Sequence, residues 1–541
     1  MKTIILFLLL VAGQLASSAS ALASPAKDGK FLVKFRSEIS IRDAEVALDK
    51  VGLKIKRHIK EVDLYVAETV GPIDVKEAIK SGLYLYIEPN YIWHAISVPA
   101  NTPNDPLFPD QLELQRLQIE AAWNHSTGSS GSNAVVVAVV DTGVDMSHSD
   151  LKNQIWTNPR EIPGNGIDDD GNGFVDDVNG WDFSGNDSFP LDENMHGTHV
   201  SGIIGAEGGN GIGTVGVNWS VSIMPVRFLD KNGQGTTELA IDAIVYASKN
   251  GARVINASWG GSDNSLALRD AINYAYQNGT LTVCAAGNGS ADTDQNPQYP
   301  SAYDSPGIIS VASSAANGVL SGFSNSGQRT VDLAAPGSDV LSTLPGEKWG
   351  RLSGTSMATP MVVGVAALAL SKEPTLSALQ LRNLVLNSID ERSTYLGVLA
   401  TAGDLNADKA MTALEDEFQI WPSRMTVAVG SVFEFSTYRA DGQVSWQVSD
   451  PSLASIDTNG ALTILKEGSF QVTAQDSAAH KATTLWVRSV PKASSVTGGC
   501  HWRSKKNSMK FWEKQGAVVS LGLPFFVGFL VTRRRRYSSE V

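Results

Sequence analysis

Val135-Val136-Val137-Ala138-Val139-Val140 runs straight into Asp141-Thr142-Gly143. A continuous β-branched run has no polar face, so it predicts a strand buried on both sides, as in a parallel sheet covered by helices. Thr282-Val283-Cys284-Ala285 behaves the same way and runs into Ala286-Gly287-Asn288. Two apolar, small-residue stretches, Val200 to Ile204 and Met361 to Leu370, read as buried helices. Each follows a segment rich in reactive side chains: His196-Gly197-Thr198-His199 and Gly354-Thr355-Ser356-Met357-Ala358-Thr359-Pro360. Reacting groups in open α/β sheets gather beyond the carboxyl ends of strands. The expected fold is α/β, a parallel sheet flanked by helices, with Asp141 and Asn288 delivered at strand ends.

A serine hydroxyl is a weak nucleophile until an imidazole takes its proton, and that imidazole needs an anion behind it. Asp141, His196 and Ser356 supply one of each. Singly, each has a plain structural reading: a strand-ending turn (aspartic proteases use the same Asp-Thr-Gly), a core histidine, a helix cap. Together, in this local context, they point to acyl transfer.

These three motifs resemble those of the subtilisin-like serine proteases, the subtilases, and the likeness covers residues 101 to 410. Thr102-Pro103-Asn104-Asp105-Pro106-Leu107-Phe108 resembles the mature start of thermitase-like members. The resemblance implies a subtilisin-like sheet and roles for each residue. Asp141 would orient His196, His196 would act as base and then acid, and Ser356 would form the acyl-enzyme. Asn288 and the Ser356 N–H would hold the oxyanion. Polypeptide substrates would add a strand between Gly233-Gln234-Gly235 and Ser258-Trp259-Gly260. Ala285-Ala286-Gly287 would wall the P1 pocket, and Gln298 would shorten it where relatives carry Gly, favouring apolar or medium-sized residues. Met361 stands where the family has His, and packing is its expected role.

Asp168, Asp170 and Asn172 place oxygen donors at alternate positions before Gly173, the start of an EF-hand calcium loop. Position twelve is Asn179 rather than Glu, so full EF-hand geometry is not expected, and a solvated loop is the alternative. A second calcium site follows from the resemblance alone: Asp105, Asp150, Asn210 and the carbonyls of Ile212 and Thr214. A third, around Asp182 and Asp187, lacks a carboxylate at Gly185 and is not assigned.

The 541 residues carry a net charge of −13, unevenly spread. Residues 501–541 hold nine Lys/Arg against two Glu, whereas residues 101–500 hold 21 Lys/Arg against 43 Asp/Glu. An acidic body excludes nucleic acid as the natural partner and suits divalent cations. The two cysteines, Cys284 in a core strand and Cys500 in the tail, do not suggest a disulfide. Cys284 reads as a small buried hydrophobe.

Residues 1–23 read as a secretory signal, cleaved after Ala21 or Ala23. Residues 24–100 follow a βαββαβ order, the ferredoxin-like pattern, and resemble the subtilase prodomain, an intramolecular chaperone and inhibitor released by cleavage between Ala95 and Asn101. The catalytic domain spans 101–414. Residues 415–490 show short alternating strands with Asp441-Gly442 and Asn459-Gly460 turns, resembling a bacterial immunoglobulin-like group 2 sandwich. A linker, 491–515, precedes a tail, 516–541, whose apolar run Gly516 to Thr532 meets four arginines. That tail reads either as a membrane anchor or as a sorting signal for a C-terminal processing protease. The expected protein is a secreted serine endopeptidase at a bacterial envelope. Its rival is an envelope adhesion or scaffold protein with a vestigial protease domain, disfavoured by the intact set of four site residues.

Overall fold

The computed structural model describes residues 30–36, 39–70, 83–89 and 102–491. The expected signal segment, the helix at 74–80, the cleavage region at 95–101 and the tail with its apolar run lie outside the described residues. The chain divides into two compact units, residues up to Thr102 and residues from Pro103.

In the first unit, β1 (Lys30–Phe35) alternates half-buried and buried positions. Phe31, Val33 and Phe35 therefore face one core, joined there by Leu48 of α1 (Ile41–Asp49). The Ser40 hydroxyl accepts the Asp43 N–H and starts α1. With β2 (Leu53–Ile59), β3 (Leu64–Thr69) and β4 (Tyr84–Pro89), these elements form an antiparallel sheet in the order β2-β3-β1-β4.

The second unit is built on the valine run. β5 (Val136–Asp141) is followed by β6 (Trp181–Asp182), α2 (His196–Gly205), β7 (Ser222–Arg227) and α3 (Thr237–Lys249). Then come β8 (Val254–Ala257), α4 (Leu266–Gln277), β9 (Leu281–Ala285), β10 (Ile308–Ser314) and β11 (Leu333–Pro336). A hairpin, β12 (Val340–Leu344) with β13 (Lys348–Leu352), leads into α5 (Thr355–Lys372) and α6 (Ala378–Asn387). β14 (Ile389–Glu391) and β15 (Gly403–Leu405) close the sheet. Its order is β14-β15-β11-β10-β9-β8-β5-β7-β6, parallel except for β14. β5 thus lies between β7 and β8, where the chain's progress across the sheet reverses direction. That reversal opens a crevice at the carboxyl end of β5.

The buried helices are where the apolar runs placed them, but His196 and Ser356 lie inside the first turns of α2 and α5 rather than ahead of them. α5 is buried almost all round, as its small apolar residues require, and Met361 lies in its core.

Eleven short strands lie between Gln419 and Val490, a region of β-sheet alone. They share one apolar cluster with the α/β part, running from Val137 through Val363 to Trp421, Phe433 and Val487. Polar contacts span the same junction. Asn383 Nδ2 donates to the Glu434 carbonyl at 2.9 Å and to Ser436 Oγ at 3.1 Å. The Thr426 N–H reaches the Ala400 carbonyl at 2.9 Å, and Arg382 lies 5.4 Å from the Phe433 ring centroid.

Candidate active site

Three adjacent strands deliver the crevice's side chains: β5 ends in Asp141, β8 runs into Ser258-Trp259-Gly260, and β9 runs toward Asn288. The β5 end is locked by interlocking glycines. Gly143 has φ +103 and any Cβ there would strike the Leu191 backbone, while a Cβ on Gly197 would strike the Gly143 carbonyl. The two motifs can therefore meet only with glycine at both 143 and 197.

Asp141 is fully buried and its Oδ1 lies 2.7 Å from His196 Nδ1. The same oxygen accepts the Thr142 N–H at 2.7 Å. Burial pushes the His196 imidazole down, but the Asp141 charge and hydrogen bond, helped by Asp192, outweigh it and hold the ring above its ordinary value. Its side chain is 26% exposed, so the edge away from Asp141 is open to the cleft.

Ser356 is held by an exchange with Ser258. The Ser356 hydroxyl donates to the Ser258 carbonyl at 3.1 Å, and the Ser258 hydroxyl donates to the Ser356 carbonyl at 2.9 Å. The second bond is available because Pro360, four residues on, has no N–H to give that carbonyl. Asn288 Oδ1 accepts both the Thr355 N–H at 2.9 Å and the Thr355 hydroxyl at 3.0 Å. With that oxygen engaged, Nδ2 is the donor end Asn288 offers to the cleft. A cleft of about 470 Å³ is lined by His196, Ser356 and Asn288 together.

Residues 132–415 match the model of the Subtilase family. The chain belongs to that family. The thermophilic serine proteinase of Bacillus sp. (strain AK1) is 34% identical over 71% of this chain and 87% of its own length. Thermitase of Thermoactinomyces vulgaris is 39% identical over 57% of this chain and 99% of its own. Subtilisin E of Bacillus subtilis (strain 168) is 34% identical over 70% and 89%. A solved protease from Pseudoalteromonas arctica is 33% identical, covers 58% of this chain and 99% of its own, and superposes with a TM-score of 0.48. This subtilase is a subtilisin-like serine endopeptidase.

Gly233, Ser258, Trp259, Gly260, Ala285, Gly287 and Gln298 also line the subtilase cleft. Trp259 is pinned by its indole N–H to the Val140 carbonyl at 2.9 Å, which fixes that rim to β5. Gln234 and Gly235 are not among the lining residues; the Gln234 backbone closes a turn on Asp230, and a Cβ on Gly235 would strike Phe228. Ala286 is buried among Ala312, Val331 and Tyr395 rather than facing the cleft.

The residues expected at the second calcium site are neighbours. Asp150 accepts Asn210 Nδ2 at 3.0 Å and the Thr214 N–H at 2.9 Å. Asp105 accepts the Gly209 N–H at 2.7 Å, while its buried Oδ1 and the Thr214 hydroxyl have no partner. Burial pushes the Asp105 carboxyl up to about 6, and the nearby Asp150 charge adds to it against the Gly209 N–H. Ile212 is at the surface, its N–H on Asn210 Oδ1 at 2.7 Å. In the acidic loop, one oxygen from each of Asp168, Asp170 and Glu161 lies within 4.8 Å of the others. Sequence reasoning missed Glu161, seven residues upstream of Asp168, and Asp192, four before His196. Their one sequence signal was an acidic residue close to a motif.

Proposed function

We propose that Asp141, His196 and Ser356 form the catalytic triad and that Asn288 with the Ser356 N–H forms the oxyanion hole. The observation that carries this reading is the 2.7 Å Asp141–His196 pair opening onto one cleft with Ser356 and Asn288. On substrate binding, Ser356 Oγ attacks the scissile carbonyl carbon as His196 Nε2 takes its proton. The tetrahedral oxyanion is held by Asn288 Nδ2 and the Ser356 N–H. Collapse breaks the C–N bond, and His196 returns the proton to the leaving amine. Water then repeats the cycle on the acyl-enzyme, freeing the acid and Ser356. Asp141 orients the ring and stabilises the imidazolium. An extended polypeptide pairs its backbone with the rims at Gly233 and at Ser258-Trp259-Gly260.

The first unit is read as a ferredoxin-like prodomain, supported by its helix on one face and its β2-β3-β1-β4 order. It assists folding, inhibits the enzyme and is removed by autocleavage between residues 95 and 101. Residues 415–490 are read as an immunoglobulin-like module. Calcium fits the Asp105–Asp150 site, where a buried unpartnered carboxylate oxygen calls for a cation. Asp105, Asp150, Asn210 and the Ile212 and Thr214 carbonyls would hold it and brace the chain without joining the chemistry. Calcium also fits the Asp168–Asn172 loop. Secretion by the leader and attachment to, or release from, a bacterial envelope through the 516–541 tail complete the reading.

The test compares wild type with Ser356→Ala, with and without chelator, for precursor length on a gel and for hydrolysis of an unfolded protein. A shortened, active wild type beside a full-length, inactive variant is expected. Equal hydrolysis by both overturns the triad. Equal processing with activity lost only in the variant overturns self-maturation alone.

A further inference from the structure

We infer that the loop at residues 161–177 is a built divalent-cation site in which Glu161 is a ligand and Asn172 is not. The inference rests on the calcium reading of this loop and changes its donor set. Six acidic residues and no Lys or Arg lie between 161 and 177. Most of these carboxylates already have structural duties. Asp176 accepts the N–H groups of Gly164, Asn165 and Gly166. Asp177 accepts Asn158 at 2.9 Å, Asn172 at 3.0 Å and the Tyr246 hydroxyl at 2.6 Å.

Glu161 is different. It is only 7% exposed, and its Oε1 accepts the N–H groups of Asp169 at 2.9 Å and Asp170 at 3.2 Å. Its Oε2 is buried without a partner. A desolvated carboxylate oxygen beside two more carboxylates is strongly unfavourable unless a cation lies among them. Glu161, Asp168 and Asp170 each bring an oxygen within 4.8 Å of the other two. Arg160 touches Asp170 Oδ2 at 3.1 Å, but its half-exposed guanidinium offsets a single charge. An all-oxygen donor set selects a hard cation, and a carboxylate-rich cluster suits calcium.

Asp168 and Asp170 also accept loop N–H groups, from Asn172 and Gly173, but each keeps a negative charge and spare lone pairs for a cation. Asn172 is neutral, its Oδ1 accepts the Phe174 N–H at 2.8 Å and its Nδ2 donates to Asp177. It shapes the turn. The loop is seated from below by Phe174, whose ring lies 5.0 Å from Trp181 and 5.1 Å from Tyr246 of α3. A cation above and an aromatic anchor below therefore clamp the insert onto the α3 side of the sheet.

The test is calcium titration calorimetry and thermal melting of the full chain carrying Ser356→Ala, which prevents self-digestion. Asp168→Asn should remove one class of calcium site. Glu161→Gln should weaken that same class about tenfold or more, and Asn172→Ala should leave it within about twofold. Melting adds a sign. Glu161→Gln should melt at or above its parent in chelator, where the uncompensated carboxylate is gone, and below it in saturating calcium. If Asp168→Asn and Asp170→Asn both leave the calcium stoichiometry unchanged, the calcium reading of the loop itself falls. If Asp168→Asn removes a site while Glu161→Gln binds as its parent does, that reading stands and the Glu161 assignment falls. Equal melting losses in chelator and in calcium reduce Glu161 to a structural residue, and an Asn172→Ala defect matching Asp168→Asn restores Asn172 as a ligand.

Discussion

Asp192 accepts the Thr142 hydroxyl at 2.9 Å and so ties the end of β5, where Asp141 sits, to the start of α2, where His196 sits. Its other oxygen takes the Thr198 N–H at 2.9 Å and the Thr198 hydroxyl at 2.6 Å. The Gly197 N–H in turn donates to Thr142 Oγ1 at 3.0 Å. Met195, between these anchors, is held at φ +110, a conformation that costs about 1–3 kcal/mol and persists only when its surroundings impose it.

Replacing Asp192 with Asn removes one of the clamp's two accepting oxygens and a charge that raises the His196 pKa. In the proposed mechanism His196 must be neutral to accept the serine proton, so activity is lost as pH falls through that raised pKa. Asp192→Asn should therefore move the acid limb of the kcat/KM profile to lower pH, with a reduced plateau. A reduced plateau with the limb unmoved would assign Asp192 to shape alone.

His199 predicts acid sensitivity of the fold. It is fully buried, its Nε2 donates to the Val340 and Gly350 carbonyls, and burial pushes its pKa down to about 4. The unfolded chain takes up a proton near the ordinary value of 6.5, while the folded chain does not until about 4. Stability from this residue is thus complete above 6.5 and is lost as pH falls toward 4, by about 3 kcal/mol. Denaturant unfolding across that window should show a slope that His199→Gln flattens. An unchanged slope would place the acid sensitivity elsewhere.

Asn288→Ala should lower kcat by about 10²–10³ with little change in KM, since its amide is offered to charge that develops only in the transition state. A change confined to KM would make Asn288 a ground-state contact instead.

Trp421 is fully buried and stacks on Tyr438 at 4.8 Å between ring centroids. Trp421→Ala should cost about 3–5 kcal/mol. Calorimetry of the protein should show the α/β and all-β parts unfolding in one transition. Two separated transitions would show that the shared apolar cluster does not couple them.

The buried strand at Val135 to Val140, the two apolar helices and the residues they carry were legible because each rests on a short, local pattern. Glu161 and Asp192 were not, because their significance comes from contacts that loops create. Asp192 matters through Thr142, fifty positions upstream, and Glu161 through a buried oxygen that no spacing announces. Gln234 and Gly235 were expected to pair their backbone with substrate; what the sequence did not show is that the Gln234 backbone closes a turn on Asp230 and that a Cβ on Gly235 would strike Phe228. The alternation over 415–490 foretold β-strands, but it is the same whether a strand faces water or α6. Contacts such as Asn383 with Glu434 were therefore beyond its reach.

The apolar cluster linking Val363 to Val487 bears on leverage. An accessory module on a flexible stalk lets an enzyme swing freely and be trimmed loose by a single cut. Here the strands ending at Val490 are wedged into the same interior as α5. Any load applied at that end is transmitted to the cleft without a joint, so whatever holds residue 490 also sets the direction in which the cleft faces.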